Sequence, residues 1–311
     1  MNDSGSPLIA LSEALATAVA RVAPSVVSID AGRRDASGIV WDPHHIVTAD
    51  HTIDDEDAID VVVSPDSPPR RLTIVGRDEA TDIALLRSDD LFPSPIARAP
   101  SEPRPGSLAL ALARDDDGDP AASFGIVSAI AGPWRTWRGG EIERYLRADL
   151  TVGPGFSGGP LVDVAGALLG MNTWGLSRRH ALVVPLVTLD RVVAQLAGGG
   201  HAVHPYIGVA LQAVRLPAAL RAARTLAQHG GAIVLDVAAG GPAERAGVAI
   251  GDVVIALDAQ TIEDADDLQR ALAHVPIAST PSLRVLRGGE LRQIAVTIGE
   301  RPQATGARHA R

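Results

Sequence analysis

The spacing of hydrophobic positions changes along the chain, and each change marks a different kind of structure. In residues 8–22 apolar residues recur every three or four positions, which predicts one helix that ends before Pro24. From Ser25 to about residue 198, short apolar runs are separated by turn residues at close intervals. This pattern is typical of an all-β barrel or sandwich, and a polar connector at 114–120 divides it into two series.

The remaining third of the chain alternates predicted strands with short helices, after a glycine-rich linker that begins near Gly198. A polar tail at its end has no apolar residues with which to pack. We therefore expect a helical segment over 1–24, a β domain over 25–198 with halves at about 25–113 and 121–198, a linker over 199–205, an α+β domain over 206–300 and a disordered tail over 301–311.

The amino-acid composition limits the possible cellular locations of the protein and the kinds of chemistry it can perform. Hydrophobic residues make up 46% of the 311 residues, but no stretch reads as a clean apolar span of bilayer length. The first seven residues carry no basic side chain, so they do not resemble a signal peptide. The sequence as it stands predicts a cytoplasmic protein, with a periplasmic or extracellular location as the alternative if an N-terminal segment has been removed. The absence of cysteine excludes disulfides and a thiol nucleophile.

The charge pattern argues against nucleic acid and metal as partners. The formal net charge is −9, all 28 basic residues are arginine, and no long basic cluster is present. His44, His45 and His51 lie close in sequence, but no fourth ligand has a suitable spacing. We expect no metal, no cofactor and no nucleic-acid partner.

One stretch, 152–161, has the composition of a catalytic turn. Four glycines and two prolines surround Ser157 between two apolar runs. Glycine permits positive φ and close backbone approach, so such a turn can direct the amides of Gly155 and Ser157 toward one point. Fixed donors beside a hydroxyl are what an oxyanion hole requires. A glycine-rich hairpin that simply needs small residues is the alternative.

A serine hydroxyl needs a base to take its proton, and a carboxylate to orient that base. His51 follows a predicted strand, where a turn can present an imidazole, and Asp82 opens the apolar strand that begins at Ile83. Each residue alone has an ordinary explanation, as a surface histidine or a capping acid. The order His51, Asp82, Ser157 across two β series is the stronger signal.

These blocks resemble a known family. Thr48–His51, Thr81–Leu86 and Gly155–Leu161 look like the three active-site blocks of chymotrypsin-fold serine proteases, and most like those of the HtrA/Deg branch. Residues 206–209 (Tyr-Ile-Gly-Val) and 242–247 (Pro-Ala-Glu-Arg-Ala-Gly) are similar to the carboxylate-binding loop and the helix signature of that branch's PDZ domain. The resemblance implies a mainly β fold, with two six-stranded chymotrypsin-like barrels followed by a small α+β PDZ domain.

The resemblance also implies roles for individual residues. Ser157 is the expected nucleophile, His51 the base and Asp82 the residue that holds the imidazole, with Gly155 and Ser157 amides as the oxyanion hole. A backbone carboxylate site is expected at Tyr206, Ile207, Gly208 and Val209. Expected partners are unfolded or damaged polypeptides as substrates, hydrophobic C-termini at the PDZ domain, and further copies in a homotrimer.

The expected substrate pocket is apolar. The position that binds basic side chains in trypsin-like enzymes is Thr151 here, and the expected walls are Phe156, Trp174, Leu176 and Val183. Phe156 departs from the family, which usually has asparagine before the nucleophile. The ring can line the pocket or can wedge the loop in an inactive form. The alternative function is therefore a proteolytically silent or chaperone-like protein that binds peptides.

Overall fold

The computed structural model describes residues 6–30, 35–53, 58–115, 117–136, 138–177, 180–199, 205–273 and 275–300. The chain divides into two compact units, Met1–Ala202 and Val203–Arg311, and each is described by itself. Most of the predicted linker and the whole predicted tail lie outside the described residues.

The first barrel is a closed sheet of six antiparallel strands. They are β1 (Val26–Asp30), β2 (Asp35–Asp42), β3 (His45–Thr48), β4 (Ala58–Val62), β5 (Arg70–Asp78) and β6 (Ile83–Arg87). The order is β1-β2-β3-β6-β5-β4, and β4 closes the barrel by pairing with β1. Because Thr48 pairs with Ala84, the end of β3 lies beside the start of β6. This register brings the segment after β3, with His51, next to Asp82.

The second barrel is also closed and also has six strands, in the order β11-β14-β13-β12-β7-β8. In chain order the strands of this half are β7 (Leu108–Arg114), β8 (Pro120–Ala131), β9 (Trp134–Arg135), β10 (Glu141–Ile142), β11 (Tyr145–Asp149), β12 (Pro160–Asp163), β13 (Leu168–Thr173) and β14 (Leu182–Pro185). β9 and β10 form a separate hairpin between β8 and β11. The connection between β11 and β12 carries Ser157.

Two helices flank the barrels. Helix α1 (Pro7–Val22) buries Ala18 and Val22, four residues apart, and α2 (Leu186–Gly199) follows β14 directly. Four apolar residues of α2 at helical spacing join the main core of this unit: Leu189, Val192, Val193 and Leu196.

The N-terminal helix corrects one expectation from the sequence. With the short 3-10 turn that follows it, Pro7–Ser25 is long and apolar enough to cross a membrane, with a mean hydropathy of 1.3 and 17% of its span buried. The expectation of no apolar span was wrong because Glu13 and Arg21 are the sole ionisable residues among many alanines, leucines and valines. A core helix and a signal sequence meet the same criterion.

The second unit is a small α+β domain. Its elements are β15 (Pro205–Tyr206), β16 (Val209–Arg215), α3 (Ala218–Arg224), β17 (Gly230–Val237), α4 (Pro242–Ala246), β18 (Val253–Leu257), β19 (Gln260–Thr261), α5 (Ala265–Ala273), β20 (Ser282–Arg287), β21 (Glu290–Ala295) and β22 (Gly299–Glu300). The main sheet has the order β16-β17-β18-β20-β21, with β19 beside β18, and β15 pairs with β22.

Most predicted elements are present, and the predicted fold class is confirmed: two closed six-stranded barrels precede an α+β domain. Helix α3 is the one helix in the described residues that the sequence did not predict, and the short strands β9, β10, β19 and β22 were not predicted either. None of the α3 residues is buried, so this helix has no regular apolar stripe that a periodicity search could detect.

Candidate active site

The nucleophile loop is the connection between β11 and β12, and its path depends on glycine. Gly155 and Gly158, on either side of Ser157, both have φ +85°. A Cβ at Gly158 would lie 2.0 Å from the Ser37 carbonyl oxygen and 2.3 Å from Thr48 Oγ1, so a side chain has no room there. The glycine content that marked this stretch in the sequence is a geometric requirement of the turn.

Strand β2 of the first barrel holds this loop through its backbone. The Ser37 amide donates to the Ser157 carbonyl oxygen over 2.9 Å, and Ser37 Oγ donates to the Gly155 carbonyl oxygen over 2.7 Å. The Gly155 amide in turn donates to the carbonyl oxygen of Asp35 over 3.2 Å. The Gly155 amide, one of the two expected oxyanion donors, is therefore already engaged, and it must exchange Asp35 for a substrate oxygen before it can serve.

His51 and Asp82 are in direct contact. His51 Nδ1 lies 2.8 Å from Asp82 Oδ2 and 3.0 Å from Oδ1, and the His51 amide donates to Oδ1 over 2.8 Å. Asp82 has φ +62° and is 1% exposed, so an unusual backbone conformation turns its carboxylate inward. A carboxylate at Nδ1 favours the tautomer whose Nε2 accepts a proton, as a base for a hydroxyl requires.

Thr173, at the end of β13, is a site residue that the sequence reasoning missed. It is fully buried, and its hydroxyl donates to Asp82 Oδ2. The Gly175 amide donates to Thr173 Oγ1 over 2.8 Å. A Cβ on Gly175 would lie 2.5 Å from Asp82 Oδ2 and 2.6 Å from His51 Nδ1. The available signal was a small polar residue and a glycine directly after a predicted strand.

Ser157 and His51 line one cleft, of about 570 Å³. Trp174 is also on its wall, and the Trp174 amide donates to Ser157 Oγ over 3.3 Å. The other residues that line it are Asp35, Thr52, Val152, Gly153, Pro154 and Gly155. The structure thus places the candidate nucleophile and base in the same opening, with Asp82 buried behind the imidazole.

The structure distributes the expected pocket residues over different places. Trp174 is 41% exposed on the cleft wall, whereas Leu176 and Val183 are buried in hydrophobic clusters. Phe156 is half-buried and packs against the apolar interior of the second barrel, and Thr151 is exposed. Their role in substrate selection stays a prediction, and Phe156 has the contacts of a residue that anchors the loop.

Two further groups support the loop that carries Asp82. The Thr136 hydroxyl, on the β9–β10 hairpin, donates to the Ala80 carbonyl oxygen over 2.6 Å. A Cβ on Gly140 would lie 2.3 Å from that same oxygen. On the Asp82 loop itself, the Asp78 carboxylate accepts from the Ala80 amide and the Thr81 hydroxyl. These contacts fix the chain immediately before Asp82.

Asp50, directly before His51, is a fully buried carboxylate paired with Arg77. Burial raises the pKa of Asp50 above its ordinary value, the Arg77 charge opposes the rise, and the charge of Asp82 adds to it. The His51–Asp82 pair therefore has a second acidic group close by, and this group is paired with Arg77.

No metal site is formed in the described parts of the chain, where no three histidine or acidic residues come together in a way that could hold an ion. His45 Nδ1 instead contacts the Asp42 carboxylate at 2.8 Å. Burial would raise the pKa of Asp42, but hydrogen bonds from the amides of His44 and His45 and from the His45 ring hold it below the ordinary value.

The second unit contains the predicted carboxylate-binding segment at the start of β16. Gly208 has φ +81°, and Ile207 is buried in the core. In the part of this unit that the structure describes, β16 pairs with β17 alone, and α5 packs against β16. An open strand edge beside a helix is the arrangement that accepts an extended peptide as an added strand.

Comparison with known proteins matches both units. The family model for a trypsin-like peptidase domain matches residues 36–171, and the model for a PDZ domain matches residues 205–298. A protein of Halomonas elongata named "Probable periplasmic serine endoprotease DegP-like" is 29% identical over 272 residues, which cover 86% of this chain and 56% of that protein. The protein of the same name from Brucella suis is 31% identical over 276 residues, covering 86% and 53%.

Solved structures agree with these sequence matches. The serine endoprotease from Yersinia pestis has 26% identity and a TM-score of 0.72, with 93% of this chain and 98% of that chain covered. The HtrA-type protease AlgW with a decapeptide has 26% identity and a TM-score of 0.71, covering 93% and 99%. The chain belongs to the HtrA family of serine proteases.

The predicted family and the single PDZ domain are thus confirmed. This HtrA-family chain spans about half the length of the curated relatives it matches. The match to the trypsin-like peptidase domain spans His51 and Asp82, and Ser157 lies near its end.

Proposed function

We propose that this chain is a serine endopeptidase that cleaves polypeptides through an acyl-enzyme. The observation that carries the proposal is the contact of His51 Nδ1 with the buried Asp82 carboxylate, in the same cleft as Ser157. Together these groups supply a nucleophile, a base and the residue that orients the base.

In the proposed reaction, Ser157 Oγ attacks the scissile carbonyl carbon and His51 Nε2 takes the hydroxyl proton. His51 then gives this proton to the leaving amine, and water hydrolyses the acyl-enzyme by the same route. The Asp82 carboxylate stabilises the imidazolium, and the Thr173 hydroxyl helps to keep this carboxylate in place. The Gly155 and Ser157 amides bind the oxyanion once Gly155 has released Asp35.

We propose unfolded polypeptides with apolar side chains at the cleavage site as substrates. Trp174, 41% exposed on the cleft wall, offers an apolar surface next to Ser157. Apolar side chains become accessible mainly in unfolded or damaged proteins, which implies a role in protein quality control.

We propose that the PDZ domain binds hydrophobic C-terminal peptides between β16 and α5. The open edge of β16 supplies backbone groups, and the Tyr206–Val209 segment supplies amides for the terminal carboxylate. Titration with matched free-acid and amidated peptides tests this, and equal affinities for the two would contradict the carboxylate site.

We also propose a periplasmic location and a homotrimeric assembly. The curated relatives are named as periplasmic proteases. Leu8 and Ile9 of α1 are 75% and 47% exposed, which offers an apolar surface to another copy. Cell fractionation and sedimentation of the full chain test these two proposals.

The decisive experiment is digestion of an unfolded protein such as reduced casein by the wild-type chain and by Ser157→Ala, with the products mapped by mass spectrometry. The proposal predicts cleavage mainly after apolar residues by the wild type and none by Ser157→Ala. Cleavage chiefly after arginine would overturn the apolar preference. No cleavage by the wild type would favour a peptide-binding protein without protease activity.

A further inference from the structure

Arg77, near the end of β5, spans the 3-10 turn Asp50–Thr52 that carries His51. Its Nε donates to Asp50 Oδ1 over 2.6 Å, and its Nη2 donates to the carbonyl oxygens of Asp50 and Ile53 over 3.3 and 3.1 Å. These acceptors lie on either side of His51 along the chain. A guanidinium donates through a rigid planar fork, so this one side chain fixes both ends of the turn.

Asp82 holds the opposite side of the same turn. The Asp50 amide donates to the Asp82 carbonyl oxygen over 3.3 Å, and both the amide and the ring of His51 contact the Asp82 carboxylate. The turn is therefore held from two sides, by Arg77 on β5 and by Asp82, the candidate catalytic acid. Displacement of either support would rotate the imidazole away from Ser157.

The Asp50–Arg77 pair is not explained by stability alone. Asp50 is fully buried and the Arg77 side chain is 20% exposed, and removal of two charges from water offsets most of their attraction. Replacement of a buried ion pair by apolar side chains of similar volume is often neutral or stabilising in proteins. The charges also lie beside the His51–Asp82 contact, where a change of either one alters the electrostatic environment of the base.

We propose that Arg77 is a positioning residue of the active site, which orients His51 by clamping its turn and cancels the charge of Asp50 beside the His51–Asp82 pair. The inference rests on the proposed peptidase function. The Arg77 side chain then has two separable roles. The planar guanidinium orients His51 through its hydrogen bonds, and the positive charge sets the pH range of activity.

Other charged groups near His51 could also affect the pH dependence of activity, and they are Asp82, Asp35 and Glu79. Asp82 contacts His51 directly, and Asp35 at the start of β2 lines the same cleft. Glu79 acts on Asp50 from the Asp82 loop and contacts Arg138 of the β9–β10 connection at 3.6 Å. None of these groups is altered in the variants below, so a change in pH dependence reports on Asp50 and Arg77.

The test measures phosphonylation of Ser157 by a fluorophosphonate, separating the maximal rate from the probe's apparent binding constant, across the pH range in which activity appears. Asp50→Asn removes an anion from the vicinity of His51, which disfavours an imidazolium, so we expect the acidic limb of the rate to move to lower pH by about half a unit to one unit. Arg77→Met removes the cation and leaves the Asp50 anion, which favours an imidazolium. We therefore expect the acidic limb of its rate to move to higher pH. That second shift is the smaller one, because burial raises the pKa of Asp50.

The two tasks are separated by Arg77→Lys, which retains the cation but not the fork. We expect its acidic limb to stay at the wild-type pH while its maximal rate falls about tenfold to a hundredfold. The double variant Asp50→Asn/Arg77→Met should restore the position of the limb but not the rate. Arg71→Met is the matched control, because Arg71 lies on the same strand, is 70% exposed, and faces Asp60 at 3.9 Å.

Thermal unfolding of each variant shows whether it is folded at the assay temperature. If Arg77→Met does not fold, Asp50→Asn and Arg77→Lys still decide the question. Wild-type rates and wild-type pH limbs in both would overturn the inference. If the wild-type chain itself is not labelled at Ser157, the proposed function fails instead, and the two failures are therefore distinct.

Discussion

The two barrels contribute to the cleft in different ways. The first barrel supplies His51 and Asp82, which are joined by side-chain hydrogen bonds that are already made. The second supplies Ser157 on a loop whose position depends on backbone hydrogen bonds to β2 and on positive φ at Gly155 and Gly158. The orientation of His51 thus depends on side-chain hydrogen bonds. The expected oxyanion site depends instead on the direction in which backbone amides of the Ser157 loop point.

This difference predicts which side is poised for reaction. The His51–Asp82 contact has the geometry that a base requires, whereas the Gly155 amide still donates to Asp35. The Gly155 amide must therefore leave Asp35 before the oxyanion hole is complete. Variants in the first barrel should therefore lower activity by changing side-chain chemistry. Variants in the Ser157 loop should lower it by changing the conformation of the loop.

The largest expected effect comes from Asp82→Asn, which removes the charge from the first-barrel side. The amide favours the wrong imidazole tautomer, and loss of this carboxylate in trypsin-like triads lowers kcat by about 10⁴-fold. Casein cleavage and its pH dependence measure the effect. A variant with near wild-type activity would contradict the role assigned to the His51–Asp82 contact.

Gly158→Ala tests the second-barrel side. The added Cβ would lie 2.0 Å from the Ser37 carbonyl oxygen, so the loop must move away from β2. We expect at least about a 10²-fold loss of activity, the cost of a displacement of about 1 Å at a catalytic group. Gly132→Ala is the matched control, since no atom lies within 4 Å of a Cβ built there and Gly132 does not line the cleft. Equal activities of the two variants would show that the loop does not depend on β2.

Thr173→Val removes one hydrogen bond to the Asp82 carboxylate and preserves the shape of the side chain. A hydrogen bond to a charged group contributes about 1.5–3 kcal/mol, which corresponds to about a tenfold to hundredfold loss of rate. Thr173→Ser keeps the hydroxyl and should retain most of the activity. Similar losses in both variants would assign the effect to packing and not to the hydrogen bond.

The smallest effect on catalysis is expected from Asp252→Asn in the PDZ unit. Burial would raise the pKa of Asp252, but hydrogen bonds from Arg287 and the Ala249 amide hold it below the ordinary value. A lowered pKa in the folded state stabilises the fold at neutral pH, and this stabilisation is lost as pH falls below about 4. The variant should lower the thermal midpoint of the PDZ unit at neutral pH but leave labelling of Ser157 unchanged.

At low pH the thermal midpoints of the wild type and of Asp252→Asn should converge. A constant difference between them at all pH values would mean that the Asp252 charge does not contribute. Slower labelling of Ser157 in this variant would mean that the PDZ unit affects the cleft.

The same contrast explains what could be read from the sequence. His51, Asp82 and Ser157 are recognisable because the chemistry demands particular side chains next to predicted strands, and the barrels because their strands have regular apolar runs. The Asp35 carbonyl that engages Gly155 has no such signature, because any residue at that position offers the same oxygen. The packing of Phe156 against the interior of the second barrel has no signature either, because it depends on the course of the loop.

Side-chain contacts between residues far apart in the chain could not be predicted from the sequence either. Thr173 and Arg77 are ordinary residues in their own strands, and their importance comes from register and from neighbours 91 and 27 residues away. The membrane-length segment at the N-terminus was missed for a different reason, since its alanines contribute little to an amphipathic stripe but raise the mean hydropathy.

The most direct test of the central claim is the site and rate of fluorophosphonate labelling in the wild type and in His51→Gln. We expect one added phosphonate per chain, located at Ser157 by peptide mapping, with a rate that falls about 10³-fold or more in His51→Gln. Absence of labelling in the folded wild type, or equal rates in the two proteins, would contradict the claim that His51 and Asp82 activate Ser157.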